Sequence, residues 1–125
     1  MVNELEHVEN LTQDDVLDKI IEFPLQLLKN KCIVTVNTFE VDGNSVLAEN
    51  SLDEVQYVMA VGPYVKDTNL KAGAKVLLDL QAMTKQIRDP ESGEVFEQIP
   101  IRPVEVDGRV YMMISDSYID AIDKR

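Results

Sequence analysis

The side chains able to do chemistry are few in kind and unbalanced in charge. The 125-residue chain has one cysteine, Cys32, and one histidine, His7, with 23 Asp and Glu against 12 Lys and Arg, a net charge of −11. A lone thiol forbids an internal disulfide and a cysteine-based zinc site. His7 lies in an acidic tail, which removes most Ser-His-Asp, Cys-His and multi-histidine metal chemistry. No glycine-rich phosphate loop, dinucleotide fingerprint or nucleophile elbow occurs. The acidic turn Asp89, Glu91, Glu94, Glu97 invites a calcium hypothesis. An EF-hand loop counted from Asp89 needs glutamate where Pro100 stands, so a solvated hairpin tip is expected instead. Lys71 and Lys75, beside Gly73, read as solvent-side charges rather than an anion site. The many carboxylates fall on turns and tails, where water keeps them ordinary. The expectation is a chain with no catalytic residues, no metal and no cofactor.

Composition bounds what must hold these residues. At 45% apolar and 28% charged the sequence is ordinary for a globular protein, and its length suits one domain with a real core. No apolar run approaches the roughly eighteen residues of a membrane span, and residues 2–11 are too polar for a signal peptide. A soluble, cytoplasmic protein is expected, without a membrane partner. A chain this acidic repels phosphate backbones, so nucleic acid is not expected either.

Two regions separate. Residues 1–22 carry Glu4, Glu6, Glu9, Asp14, Asp15, Asp18 and Glu22 against Lys19 alone. Thr12 followed by Asp15 is a capping-box-like helix start, and Val16, Leu17, Ile20 and Ile21 form one apolar stripe. Pro24 ends the helix. So short a helix is marginal alone, so its stripe must be buried, either on its own domain or on a neighbour. Self-packing is the expected outcome.

Residues 23–125 form the second region, and from residue 31 onward period-two patterning and turn dipeptides read as strands. Cys32-Ile33-Val34-Thr35-Val36 is a β-branched run, and Tyr57-Val58-Met59-Ala60-Val61 is another, ended by Gly62-Pro63. Lys75-Val76-Leu77-Leu78-Asp79-Leu80 and Arg109-Val110-Tyr111-Met112-Met113-Ile114 follow glycine turns. Asp42-Gly43 and Asp107-Gly108 are strong hairpin signals, because both central positions of a type I′ turn need positive φ. Arg88-Asp89-Pro90-Glu91-Ser92-Gly93 predicts a third hairpin. Frequent short strands with one helix mean an antiparallel barrel or sandwich. Tyr118-Ile119-Asp120-Ala121-Ile122 is a closing strand or a last helical turn; its periodicity fits both. Met59, Met112 and Met113 read as core filler, and Cys32 as a small buried hydrophobe.

Three stretches together resemble the GroES-type co-chaperonins. Tyr57 to Pro63 and then Leu70-Lys71-Ala72-Gly73-Ala74-Lys75-Val76-Leu77 are similar to that family's "AVG" strand and the "VKVGDxV" strand after it. Val110 to Ile122 is similar to its closing segment, and Phe23-Pro24-Leu25 before the Cys32 run is similar to its "RPL…VIVK" start. The stretches keep family order and cover most of residues 23–122. The resemblance implies an all-β fold, a small GroES-like antiparallel barrel, here with an added N-terminal helix. It also implies that 118–122 is strand, and that the barrel forms a homo-oligomeric ring lidding a GroEL-type chaperonin. In the family the first and last strands of adjacent subunits pair, which makes Cys32, Val34, Val36, Ile119 and Ala121 the expected interface residues.

Family members grip the chaperonin through a mobile loop bearing an apolar tripeptide. Ser45, Val46 and Leu47 fall where that tripeptide would lie, although Asp42-Gly43 also fits a closed hairpin. Residues 63–70 are too short for the family's roof hairpin, an absence shared with phage-encoded co-chaperonins. The expected function is therefore a co-chaperonin for a bulky client, phage-encoded and acting in the host cytoplasm. The alternative is a virion structural or capsid-decoration protein that keeps the barrel, partners capsid proteins and has lost the chaperonin grip.

Overall fold

Periodicity and turn chemistry set most of the elements. The computed structural model describes residues 10–40 and 50–125. In chain order they form α1 (Gln13–Ile20), β1 (Lys31–Val34), β2 (Thr38–Glu40), β3 (Asn50–Leu52), β4 (Val55–Val61) and β5 (Lys75–Leu78). Then come α2 (Leu80–Met83), β6 (Lys85–Arg88), β7 (Val95–Gln98), β8 (Pro103–Val106), β9 (Arg109–Ser115), a 3₁₀ turn (Asp116–Tyr118) and β10 (Ile119–Asp123). The chain is mostly β. Six strands make one antiparallel sheet in the order β10-β5-β4-β1-β9-β8, while β2-β3 and β6-β7 are separate two-stranded ribbons.

The sheet buries both faces, and the two-residue side-chain period sorts them. Cys32, Val34, Val58, Val76, Leu78, Met112 and Ile114 build one core with Leu70 and Met83. Ile33, Met59, Tyr111 and Val106 point the other way and meet Leu11, Val16 and Leu27. The N-terminal segment therefore covers the second face of its own sheet. Met59 and Met112 are fully buried, as core filler requires.

Helix α1 begins with the expected capping box. The Thr12 hydroxyl accepts from the Asp15 N–H at 3.3 Å and the Asp15 carboxylate accepts from the Thr12 N–H at 3.1 Å, which satisfies two helix-end donors. Its stripe is only half buried. Val16 is fully enclosed, which stabilises by about 1.5–3 kcal/mol, and Ile20 is partly covered. Leu17 and Ile21, expected inside, remain 46% and 80% exposed. Val16 and Ile20 sit nearest one another on the wheel; Leu17 and Ile21 are turned about 100° away, so a single contact line cannot cover all four.

The turn at Asp107-Gly108 has φ of 52° and 78°, as its sequence predicts, and joins β8 to β9 with Val106 opposite Arg109. The predicted hairpin around residues 88–93 is the β6–β7 ribbon. It pairs Arg88 with Val95, and Asp89 and Glu94 close its tip with a 2.8 Å backbone bond. All of β6 is exposed. The strand expected from Lys75 to Leu80 ends at Leu78. Asp79 there accepts from the Ala82 N–H at 3.0 Å and caps α2, because Leu-Gln-Ala-Met is a helix-forming run once capped. Residues 118–122 are strand from Ile119 onward, held to β5, with Tyr118 closing the 3₁₀ turn. In β2–β3, Glu40 lies opposite Asn50, whereas a two-residue turn at Asp42-Gly43 would place it opposite Ser45. Asp42 and Gly43 themselves lie outside the described residues.

A polar knot ties the N-terminal segment to the point where β1 gives way to β2. Gln56 is fully buried and its amide is satisfied on every side. Its oxygen accepts from the Thr35 hydroxyl at 2.7 Å and the Asn37 N–H at 2.8 Å; its nitrogen donates to the carbonyls of Asn37 at 2.8 Å and Asp53 at 2.7 Å. A half-satisfied amide here would be costly, so this corner has one arrangement. No described helix is long and apolar enough to cross a membrane.

Candidate functional site

A strand in a sheet interior has both rows of backbone groups paired; one at the end has a free row, a template for another chain. Strand β1 is interior, bonded to β4 on one side and β9 on the other. Cys32 and Val34 are 0% exposed and Val36 3%. The expectation that these residues form a subunit contact is corrected here: their side chains line the core and β1 has no free edge. Burial, with the nearby Asp116 carboxylate, pushes the Cys32 thiol up to about 11, so it is neither nucleophile nor thiolate ligand at neutral pH.

Ile119 and Ala121 do lie on an edge. β10 bonds to β5 through Ile119 opposite Leu78 and Ala121 opposite Leu77, with an irregularity between them, and no described strand pairs its other side. Ala121 is exposed and Ile119 half-buried. Alongside runs a groove of about 690 Å³ whose lining mixes Val65, Leu70, Ile119 and Ile122 with charged groups such as Lys66, Asp67, Asp120 and Lys124. Tyr64 is 71% exposed. The end of the strand is pinned by charge. Arg125 donates twice to the Asp123 carboxylate at 3.0 Å, and Lys75 approaches the same group at 3.5 Å, so Lys75 is engaged rather than merely solvated. The hydrogen bonds from the Arg125 side chain and backbone hold the Asp123 carboxyl far below the usual carboxylate range.

Between α1 and β1 lies a segment known from sequence by Pro24 and the Phe23-Pro24-Leu25 motif, whose packing those residues did not show. Proline at 24 has no N–H, and no backbone N–H from Leu25 to Leu28 donates to another described group. Leu27 is buried and Phe23 packs edge-on against Tyr111 with ring centroids 5.4 Å apart. Leu25 and Leu28 face outward at 38% and 69% exposure. The far end is fixed by Gly62. A Cβ there would sit 2.2 Å from the Lys29 carbonyl oxygen and 2.7 Å from that of Leu28, so only glycine allows this approach. The Gly62 N–H donates to the Lys31 carbonyl at 2.8 Å and the Tyr64 N–H to that of Lys29 at 2.9 Å. Asn30 then donates to Ser115 and Asp116 at 3.0 Å, tying the segment to the turn that launches β10. Gly62-Pro63 was the available signal, but it reads as a strand stop without showing what approaches it.

Ser45, Val46 and Leu47 lie outside the described residues; the β2–β3 ribbon flanks their interval on both sides. At the acidic turn Asp89 accepts from the Glu91 N–H at 2.9 Å, which with the Ser92 hydroxyl lowers its pKa. No group of three or more His, Cys, Asp or Glu among the described residues is placed to hold a metal ion. The described surface thus carries an open strand edge on β10, a groove of mixed polarity beside it, and the exposed Leu25 and Leu28 ahead of β1. Neither a protein-family model nor a curated protein matches the sequence.

Proposed function

We propose that the chain is a lid subunit of the GroES type, a small barrel-like domain that closes head-to-tail into a ring and caps a GroEL-type chaperonin. The observation that carries this reading is the pairing of two unmet needs on one molecule. Residues 25–28 have backbone N–H groups with no described acceptor, and Leu25 and Leu28 face outward, while β10 has an unpaired edge beside a groove of mixed polarity. Each subunit thus offers one half of a contact and accepts the other, a heterologous interface that closes when its rotation closes. The ring seam therefore runs from residues 23–28 of one copy to β10 of the next, in place of Cys32 to Val36. The order of motifs along the chain supports the family assignment. Val46 and Leu47 are the proposed chaperonin grip, two apolar side chains that order on a groove at the cost of loop entropy.

Light scattering on the full chain should show a closed ring at tens of micromolar. Leu25→Asp with Leu28→Asp should give a monomer of unchanged monomer stability, since both side chains are exposed. Leu47→Asp should leave the ring intact and abolish capping of the chaperonin. A wild-type chain that stays monomeric at these concentrations refutes the ring, and a ring that ignores the chaperonin refutes the lid and favours the decoration role.

A further inference from the structure

Two asparagines clamp the N-terminal segment onto the root of the β2–β3 ribbon, and neither is needed to build the sheet. The Asn37 side chain accepts from the Leu11 N–H at 2.9 Å and donates to the Leu11 carbonyl at 2.9 Å, meeting both backbone groups of one residue. One step along, Asn10 repeats the pattern in reverse. It accepts from the Thr38 N–H at 3.0 Å and donates to the Thr38 carbonyl at 2.6 Å. Each amide thus imitates a strand partner across 26 or 28 residues of chain. Asn37 is 8% exposed, and its own backbone is held by Gln56 and by the Asp53 N–H at 2.9 Å. Residues 10 and 11 lead directly into the capping box of α1, which is seated by the fully buried Val16.

We propose that residues 10–20 are a strap that locks the root of the β2–β3 ribbon, so that lifting α1 releases the ribbon and ordering the ribbon tightens α1. The physical basis is that the clamp is a direct polar link between the two, and its groups are mutually dependent. If α1 leaves, Asn37 keeps a buried amide with no partner and Thr38 loses both backbone bonds, so the ribbon root must rearrange or hydrate. If the ribbon root turns away, Leu11 loses both its bonds and its place in the second core. Coupling of this kind is reciprocal by linkage. It holds for the isolated subunit, whatever that subunit assembles with.

Residue-resolved hydrogen exchange on the full chain tests it. Asn37→Ala directly exposes the Leu11 N–H, and Asn10→Ala the Thr38 N–H, so those two amides are set aside. The informative ones are Val16 within α1, whose N–H donates to Thr12, and the amides of β3. In Asn37→Ala both sets should exchange at least about tenfold faster, with Met112 and Met113 in β9 unchanged. Asn10→Ala, at the more exposed end, should give the same pattern more weakly and covers the case in which Asn37→Ala fails to fold. Val16→Ala changes neither asparagine of the clamp yet should speed exchange in β3. Acceleration confined to one of the two segments overturns the strap, as does a rise in β9 of equal size, which would report global unfolding.

Discussion

Adding one methyl group at Gly62 separates two reasons for a glycine. The Cβ of Gly62→Ala would lie 2.2 Å from one carbonyl oxygen and 2.7 Å from another, where real Cβ contacts stay beyond 3.0 Å. The obstacle is backbone, so no side-chain rotation relieves it, and the turn at residues 28–30 must retreat by roughly 1 Å. That retreat strains the bonds from Gly62 to Lys31 and from Tyr64 to Lys29, at a net 1 kcal/mol or so apiece, and adds about 1–3 kcal/mol for overpacking. The expected loss is about 3 kcal/mol, or a fall in Tm of roughly 10 °C for a domain this size. Gly108 is the control. It has φ of 78° but nothing within 4 Å of an added Cβ, so Gly108→Ala meets only the left-handed penalty of about 1–2 kcal/mol. Calorimetry or urea unfolding of both variants should rank them in that order. A Gly62→Ala protein that melts within about 3 °C of wild type would refute the close approach, and with it the anchoring of segment 23–28.

The helix, the edge and the core thiol give three further tests. Val16→Ala removes a fully buried side chain and should cost about 1–2.5 kcal/mol by chemical denaturation of dilute monomer; no loss would mean that α1 does not cover the sheet in solution. Because Arg125 depresses the Asp123 carboxyl below its ordinary 3.8, that contact contributes in full above pH 3.8 and is lost as pH falls through the depressed value. A carboxyl NMR titration should place the Asp123 midpoint below 3.8 and return it toward 3.8 in Arg125→Ala; equal midpoints would remove the charge pin. For Cys32 the sign reverses, since its folded pKa of about 11 exceeds the ordinary 9.0, so stability is retained below pH 9 and declines from there toward 11. An aromatic disulfide reagent should therefore label it only on unfolding, and fast labelling of native protein at pH 8 would contradict its burial.

What could be read from sequence was local. The Asp107-Gly108 turn, the Thr12–Asp15 box and the ribbon around residues 88–93 each follow from the conformational demands of a few adjacent residues, and each is in place. What failed was long-range. A β-branched run such as Cys32 to Val36 looks the same whether its strand is central or at an edge; its partners, Val58 to Val61 and Met112 to Ser115, decide that. The stripe of α1 was drawn too wide because periodicity ranks positions without showing how much surface the opposing sheet supplies. Asp79 looked like a strand residue between leucines, and only the backbone turn after Leu78 makes it a cap. Segment 23–28 offered only Pro24 and the short Phe23-Pro24-Leu25 motif, which do not show that Leu27 is buried while Leu25 and Leu28 face outward.

The tip of the β6–β7 ribbon is closed by its own backbone bonds and its residues 88–95 are exposed or nearly so. Its length is therefore thermodynamically cheap to change. Doubling a loop adds only about 0.6 kcal/mol of closure entropy, and the tip residues 91–94 are exposed. The position between Glu91 and Gly93 is accordingly the place to graft a reporter: a short tag, a spin label on a new cysteine, or a small inserted domain. With Cys32 sealed inside the core, such a label would be chemically unique on the surface. Distances between labelled spurs would then report spacing and symmetry directly in any assembly the protein forms.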